Sequence, residues 1–206
     1  MKRLFILFSL LTIIMLSGCT LHNPPGNVIN SVKYNNESEF VISKPVYDDL
    51  RFPVNVVEIR GESNVPEETN DGLAFDYNHM EQAFFIAQLP HNRKDDSDLH
   101  GHYHWKTSDN LTGDVVWCLE YRIANINEEF SNYKNKCVVD SSLENLKTHL
   151  MTNQILVNGT NITASAIVDS RIYRNATDSR DTYPSDAYLL EFDFHYNIDK
   201  LGEVYE

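Results

Sequence analysis

The sequence lacks the short motifs that mark the common catalytic sites. It contains no Gly-x-Ser-x-Gly nucleophile turn, no glycine-rich phosphate loop, no His-Glu-x-x-His and no Cys-x-x-Cys. Its adjacent carboxylates, Asp48-Asp49 and Glu128-Glu129, stand in segments that are typical of loops, where charge pairs are usually solvated. Since no motif indicates a reaction, a role other than catalysis is favoured.

Basic residues are scarce as well. The chain has 17 lysines and arginines against 30 aspartates and glutamates, which gives a formal net charge of −13. A surface this negative repels phosphate backbones, so we expect no nucleic-acid partner. The same repulsion opposes flat binding to anionic lipid, and any membrane attachment would need a separate anchor.

Long hydrophobic runs are missing except at the N-terminus. Leu4–Leu16 is apolar apart from Ser9 and Thr12, and it follows Lys2 and Arg3. This run is too short for a membrane-spanning helix, which needs about 20 apolar residues. A short apolar run behind a positive start is typical of a signal peptide, and we predict one over residues 1–18.

The end of this run resembles the bacterial lipobox, in which a cysteine after small residues is acylated. The residues are Leu16-Ser17-Gly18-Cys19. The resemblance implies an exported protein that is anchored in the cell envelope through lipid on Cys19. The alternative is an ordinary signal peptide with a chance cysteine. Thr20 favours the outer membrane if the cell is Gram-negative, because an Asp at that position marks inner-membrane retention in lipoproteins.

The rest of the chain divides into a linker and one domain. Residues 19–38 contain Pro24-Pro25-Gly26 and many asparagines, which is typical of a flexible tether. Residues 39–206 are long enough for a single core and show period-two alternation. We predict an all-β domain, a single β-sandwich of jelly-roll type. The expected strands are Phe40–Ser43, Val54–Arg60, Gln82–Leu89, Leu99–Thr107, Asp114–Ala124, Leu146–Thr152, Ile162–Tyr173 and Ala187–Ile198, and only Ser142–Met151 has a helical alternative.

Alternation sorts the side chains of three strands onto two faces. Trp105, Trp117, Phe192 and Phe194 fall on apolar faces, so we expect them in the core. The opposite faces carry polar residues.

Histidines dominate one of these polar faces. His100, His102 and His104 share it, about 7 Å apart at each step. Two of these imidazoles can meet one metal ion if Glu120, Asp193 or His195 supplies a third ligand from a neighbouring strand. We predict a site formed by His102, His104, His195 and Glu120, with Glu191 as the alternative to Glu120 in this cluster. Mixed imidazole and carboxylate ligands suit Zn, Fe or Mn.

The same histidines allow three interpretations. His102-x-His104 resembles the His-x-His of cupins, although the glycine spacing of cupins is absent and Glu120 lies 16 residues beyond His104. His-x-His also occurs on the threefold axis of trimeric phage fibres, where three chains share one ion, and a homotrimer is expected in that case. The simplest alternative is a solvated polar face in which the histidines bond to Glu and Asp.

Two cysteines remain after Cys19. Cys118 and Cys137 can pair in an oxidising compartment. The alternative is that Cys118 is a buried apolar residue.

The order of several short segments is similar to a poorly characterised group of proteins from tailed-phage genomes and environmental viral sequences, regarded as virion components. The segments are Val46–Pro53, Glu81–His91, His102–Trp105, Leu119–Tyr121, Arg171–Ala176 and Leu189–Tyr196. The resemblance implies a structural role in a virion and no enzymatic activity. Those proteins begin near the first segment, whereas this chain has a signal peptide before it.

Three functions follow. The first is a non-enzymatic structural or interaction protein displayed at a surface. The second is an envelope lipoprotein that binds a glycan or a protein. The third, with the weakest support, is a metal-dependent enzyme similar to cupins.

Overall fold

The protein is described by a computed structural model that covers residues 32–34, 40–61, 63–143 and 148–202. Cys19 and the predicted signal peptide lie outside these residues. In the described part of the chain, no helix has the length and apolar character needed to cross a bilayer.

The described residues form an all-β structure, and every strand pairing is antiparallel. The strands are β1 Val32–Tyr34, β2 Phe40–Pro53, β3 Glu67–Thr69, β4 Gly72–Phe75, β5 Glu81–Gln88, β6 Leu99–Thr107, β7 Asp114–Ala124, β8 Lys134–Ser141, β9 Leu150–Met151, β10 Ile155–Val157, β11 Ile167–Arg174 and β12 Ala187–Lys200.

The strands make two sheets that face each other as a sandwich. In the smaller sheet the order is β5-β11-β7-β8. In the larger sheet β12 pairs with β6 along one edge and with β2 and β4 along the other, and β9 and β10 continue the sheet beyond β6. The two longest strands, β2 and β12, are neighbours, and the chain crosses repeatedly between the sheets. This connectivity is that of a jelly roll, so the prediction of fold class is confirmed.

An aromatic core fills the space between the sheets. Trp105, Trp117, Phe192 and Phe194 are all fully buried in one apolar cluster, as the alternation predicts. The Tyr103 ring stacks on Trp117 with centroids 5.0 Å apart, and Phe192 meets Phe194 edge-on at 5.0 Å. Because alternate residues face opposite ways, burying these rings turns the intervening polar residues of β6 and β12 to the outer face.

The N-terminal part of the domain differs from the prediction. β2 continues to Pro53, so Asp48 and Asp49 lie within a strand and not in a loop. The segment Val54–Arg60, predicted as a strand, forms a turn and a loop with only a single bridge between Glu58 and Phe84. Val54, Val57 and Ile59 nevertheless pack against the core, whereas Val56 is exposed.

Several strands that are either short or polar were also not predicted. They are β3, β4, β8 and β10, together with β1, which lies inside the predicted tether and pairs with the start of β2. Of the predicted strand Leu146–Thr152 only β9 is formed in the described residues, and β11 begins at Ile167 instead of Ile162. The edge strand β8 carries Lys134 and Lys136, and such charges suit an exposed sheet edge. They also interrupt the alternation of apolar and polar residues by which a strand is predicted.

Candidate functional site

Polar side chains from three adjacent strands cover the outer surface of the larger sheet. On β12, Asp193 stands opposite Arg51 of β2 and His102 of β6. One step along, His195 stands opposite Asp49 and His100 in the same way. We call this surface the histidine face and define it as Asp49, Arg51, His100, His102, His104, Glu191, Asp193 and His195.

Asp193 lies at the centre of the histidine face and is only 3% exposed. Its Oδ2 atom is 3.3 Å from the Nε2 atom of His104 and 3.3 Å from the Nε2 atom of His195. Its Oδ1 atom is buried and has no hydrogen-bond partner among the described residues. Burying a carboxylate oxygen without a hydrogen-bond partner costs free energy, so a ligand bound at this atom would be stabilising.

His104 connects Asp193 to a loop residue. The hydrogen bond to the Asp193 carboxylate raises the pKa of His104. On the other side of the ring, its Nδ1 atom is 2.8 Å from the Nε2 atom of His149, which precedes β9. The chain of contacts from His149 through His104 to Asp193 fixes the orientation of the His104 ring.

His102 is held differently. Its Nδ1 atom lies 3.1 Å from the carbonyl oxygen of Thr152, and a carbonyl can only accept. Nδ1 therefore carries a proton. Burial lowers the pKa of His102, and its ring centroid is 4.4 Å from that of His195. The two imidazole rings thus lie against each other.

Asp49 completes the group from β2. Its Oδ1 atom is 3.3 Å from the Nε2 atom of His195, and half of its side chain is exposed. One potential ligand atom from each of Asp49, Asp193 and His195 lies within 4.8 Å of the other two. These three residues are a metal-ligand set by residue type and spacing.

A pocket of about 380 Å³ opens beside this group. Five of its six lining residues are polar, and Arg51 and Glu191 form a two-pronged ion pair there, with N–O distances of 2.5 and 2.6 Å. The lining residues are Asp49, Arg51, His104, His149, Leu190 and Glu191. Donors and acceptors are mixed, and Leu190 is the apolar contribution.

The structure brings together most of the residues that the sequence selected. His102, His104 and His195 meet on one face within a single chain. Glu120 is a correction, because it lies on β7 in the other sheet and its carboxylate is 3.1 Å from Nε of Arg171. Cross-sheet separation excludes it from the histidine face.

Some members of the site were missed by the sequence reasoning. Asp49 was assigned to a loop, Arg51 and His149 were not selected, and Glu191 was expected only as the alternative to Glu120. A correct pairing of β2 with β12 would have found Asp49 and Arg51, since both stand directly opposite histidine-face residues. No sequence signal indicates His149.

The two remaining cysteines form a disulfide. Cys118 on β7 and Cys137 on β8 stand opposite each other in the register of the smaller sheet and are covalently joined. The bond is distant from the histidine face, because β7 and β8 belong to the other sheet.

Comparison with known proteins assigns no family to this chain. No family model and no curated protein matches the chain. Among solved structures, TmCBM61 in complex with beta-1,4-galactotriose is similar over 76% of this chain and 88% of that chain, with 8% identity and a TM-score of 0.27. The comparisons do not test the resemblance to tailed-phage proteins, which stays a prediction. What is established for this chain is an all-β sandwich of two antiparallel sheets.

Proposed function

We propose that this protein is a glycan-binding module and that the pocket on the histidine face holds the sugar. The observation that carries the proposal is the polar lining of the pocket, in which carboxylates, a guanidinium and imidazoles surround about 380 Å³. This volume is within the range of small-molecule sites, about 300–1,000 Å³. Because only Leu190 is apolar, the lining suits a ligand that is rich in hydroxyl groups.

Charge supports a neutral sugar over an anion. The chain carries a net charge of −13, and two of the pocket residues are carboxylates, Asp49 and Glu191. Both features oppose binding of phosphate or sulfate. Hydroxyl groups can donate to these carboxylates and accept from Arg51, so one ring can use both kinds of group.

The strands that carry the pocket residues also favour specific binding. Asp49 and Arg51 lie on β2, His104 on β6, and Leu190 and Glu191 on β12, so most of the lining stands on paired strands. Side chains on rigid strands keep their geometry better than side chains on loops. A preformed pocket avoids part of the ordering cost of binding.

The test is a glycan array with the full-length protein in mild detergent, followed by calorimetric titration of the best glycan. Glu191→Gln removes a charged acceptor from the pocket and should weaken binding by about 10–100-fold, the usual effect of losing one charge-assisted hydrogen bond. Glu58→Gln is the matched control, because Glu58 makes a similar ion pair with Arg60 outside the pocket. It should leave the affinity unchanged.

Two results would contradict the proposal. One is an array on which no glycan binds above background. The other is a glycan whose affinity is the same for wild type and for Glu191→Gln.

A further inference from the structure

We propose that Asp49, Asp193 and His195 hold one divalent transition-metal ion. The three residues come from the neighbouring strands β2 and β12, and one ligand atom of each lies within 4.8 Å of the other two. His195 Nε2 is 3.3 Å from Asp49 Oδ1 and 3.3 Å from Asp193 Oδ2.

These distances are compatible with coordination of one ion. Ligand atoms placed about 2.1 Å from a tetrahedral ion stand about 3.4 Å from one another. The two separations of 3.3 Å match the edge of such a tetrahedron. His104 also contacts Asp193 Oδ2, but it is not a member of this ligand set.

The buried oxygen of Asp193 is an independent observation that indicates a cation. The Asp193 side chain is 5% exposed, and its Oδ1 atom has no hydrogen-bond partner in the described part of the chain. A carboxylate that is nearly inaccessible to water is expensive unless its charge is compensated. An ion bound at Asp193 would compensate the charge of both oxygens.

The surroundings also resemble those of metal sites. A carboxylate that binds a metal is usually held by hydrogen bonds from residues behind it. His104 has this place, because its Nε2 atom is 3.3 Å from Asp193 Oδ2 and its Nδ1 atom is 2.8 Å from His149. His104 is therefore a positioning residue for Asp193 in this proposal.

The ligand types select the kind of ion. One imidazole with two carboxylates suits Zn²⁺, Mn²⁺ or Fe²⁺, whereas Ca²⁺ and Mg²⁺ prefer ligand sets made of oxygen alone. Zn²⁺ is the most direct probe, since three protein ligands of this mixed type leave one position of its tetrahedral shell for water. The inference does not depend on glycan binding, although Asp49 also lines the pocket.

The test uses full-length protein in detergent, without a polyhistidine tag, stripped with EDTA and dialysed. Titration calorimetry with Zn²⁺, together with elemental analysis after dialysis, should give one ion per chain. His195→Gln and Asp193→Asn should each weaken Zn²⁺ binding by at least about 100-fold, because even residues behind the ligands typically contribute about 10–100-fold. His104→Gln should weaken it by about 10-fold or more for the same reason.

His79→Gln is the matched control. His79 also lies 3.3 Å from a carboxylate, that of Asp76, but this pair is exposed and is not part of the ligand set. The variant should bind Zn²⁺ as the wild type does. If Asp193→Asn does not fold, His195→Gln and Asp49→Asn decide the question, because both side chains are partly exposed.

The proposal is overturned if the wild type retains no Zn²⁺ after dialysis, or if His195→Gln and His79→Gln bind it equally. Repeating the glycan array after EDTA treatment separates the two proposals. Glycan binding without any metal binding removes the metal site alone, and one bound Zn²⁺ without any glycan removes the pocket proposal alone.

Discussion

At the scale of single residues, Gly101 shows how the core and the histidine face depend on each other. It stands between His100 and His102 and faces inward, opposite Phe194 of β12. A Cβ atom at this position would lie 2.8 Å from Cζ of Phe192, which is closer than real side chains approach. The absence of a side chain lets the two phenylalanines of β12 pack under the strand whose outer face carries the histidines.

Gly101→Ala should therefore lower the free energy of unfolding by about 1–3 kcal/mol, the usual cost of overpacking a core. Urea denaturation monitored by tryptophan fluorescence measures it. Phe192→Leu in the same chain should recover part of the loss, since it removes the ring tip that the new methyl group meets. Strictly additive costs in the double variant would show that the two positions do not clash.

Residues in segments that alternate regularly could be assigned to a face of their strand from the sequence. Period-two geometry placed His102 and His104 on the polar face of β6 and His195 on the polar face of β12, and the predicted cluster joined the two faces. Asp49 was not assigned to a face, because two adjacent aspartates in a polar segment look like a solvated loop. The position of Asp49 on the histidine face follows only from its pairing with β12. The register between β2 and β12 cannot be read from the sequence.

At the scale of elements, one buried ion pair holds the long connection between β11 and β12. Arg174 is fully buried, and its guanidinium contacts Asp181 at 2.7 Å. It also donates to the carbonyl oxygens of Tyr183 and Ser185, at 2.7 and 2.8 Å. This connection leads directly into the strand that carries Asp193, so Arg174 secures the entry to β12.

Arg174→Met should lower the free energy of unfolding by about 3–5 kcal/mol, because it leaves the Asp181 carboxylate buried without its partner. The shift of the urea midpoint at neutral pH gives the value. Arg180→Met is the control, since Arg180 pairs with Asp178 at the surface and its side chain is 56% exposed. An equal shift for both variants would show that burial of the Arg174 pair has no special effect.

The strands that were predicted well from the sequence have one buried face and one solvent-exposed face. β6 and β7 have the predicted bounds, and β5 and β12 differ by one or two residues. Only the first part of β2 was predicted, as Phe40–Ser43, because Pro45 interrupts the pattern, and the structure places Pro45 where the pairing with β12 shifts between Val46 and Val41. Proline has no backbone N–H to donate to a regular ladder of hydrogen bonds. It is therefore tolerated at irregularities, where that hydrogen bond is not required.

At the scale of the whole molecule, the sandwich and the predicted anchor are separate questions. The histidine face, the pocket and the core lie within residues that the structure describes, whereas Cys19 lies outside them. A module held at a membrane by lipid would act on partners near the cell envelope. The proposed glycan binding does not require that location, and the two properties can be tested independently.

Expression of the full chain in a bacterium should give a protein that begins at acylated Cys19, with two or more acyl chains for stable anchoring. The mass of the N-terminal peptide shows the modification, and fractionation shows membrane association. Cys19→Ser should lose both. A soluble wild-type product with unmodified Cys19 and a different N-terminus would contradict the prediction.

The neighbouring positions of β2 and β12 in the larger sheet have a consequence for synthesis. Asp49 and His195 are paired across these two strands, although almost the whole domain separates them in the chain. A nascent polypeptide cannot assemble the histidine face until β12 has left the ribosome, and pairings between such distant segments form slowly. A chain that ends before β12 has neither Asp193 nor His195, whichever other strands it forms. Ligand binding at this face would therefore report that the chain has been both completed and folded.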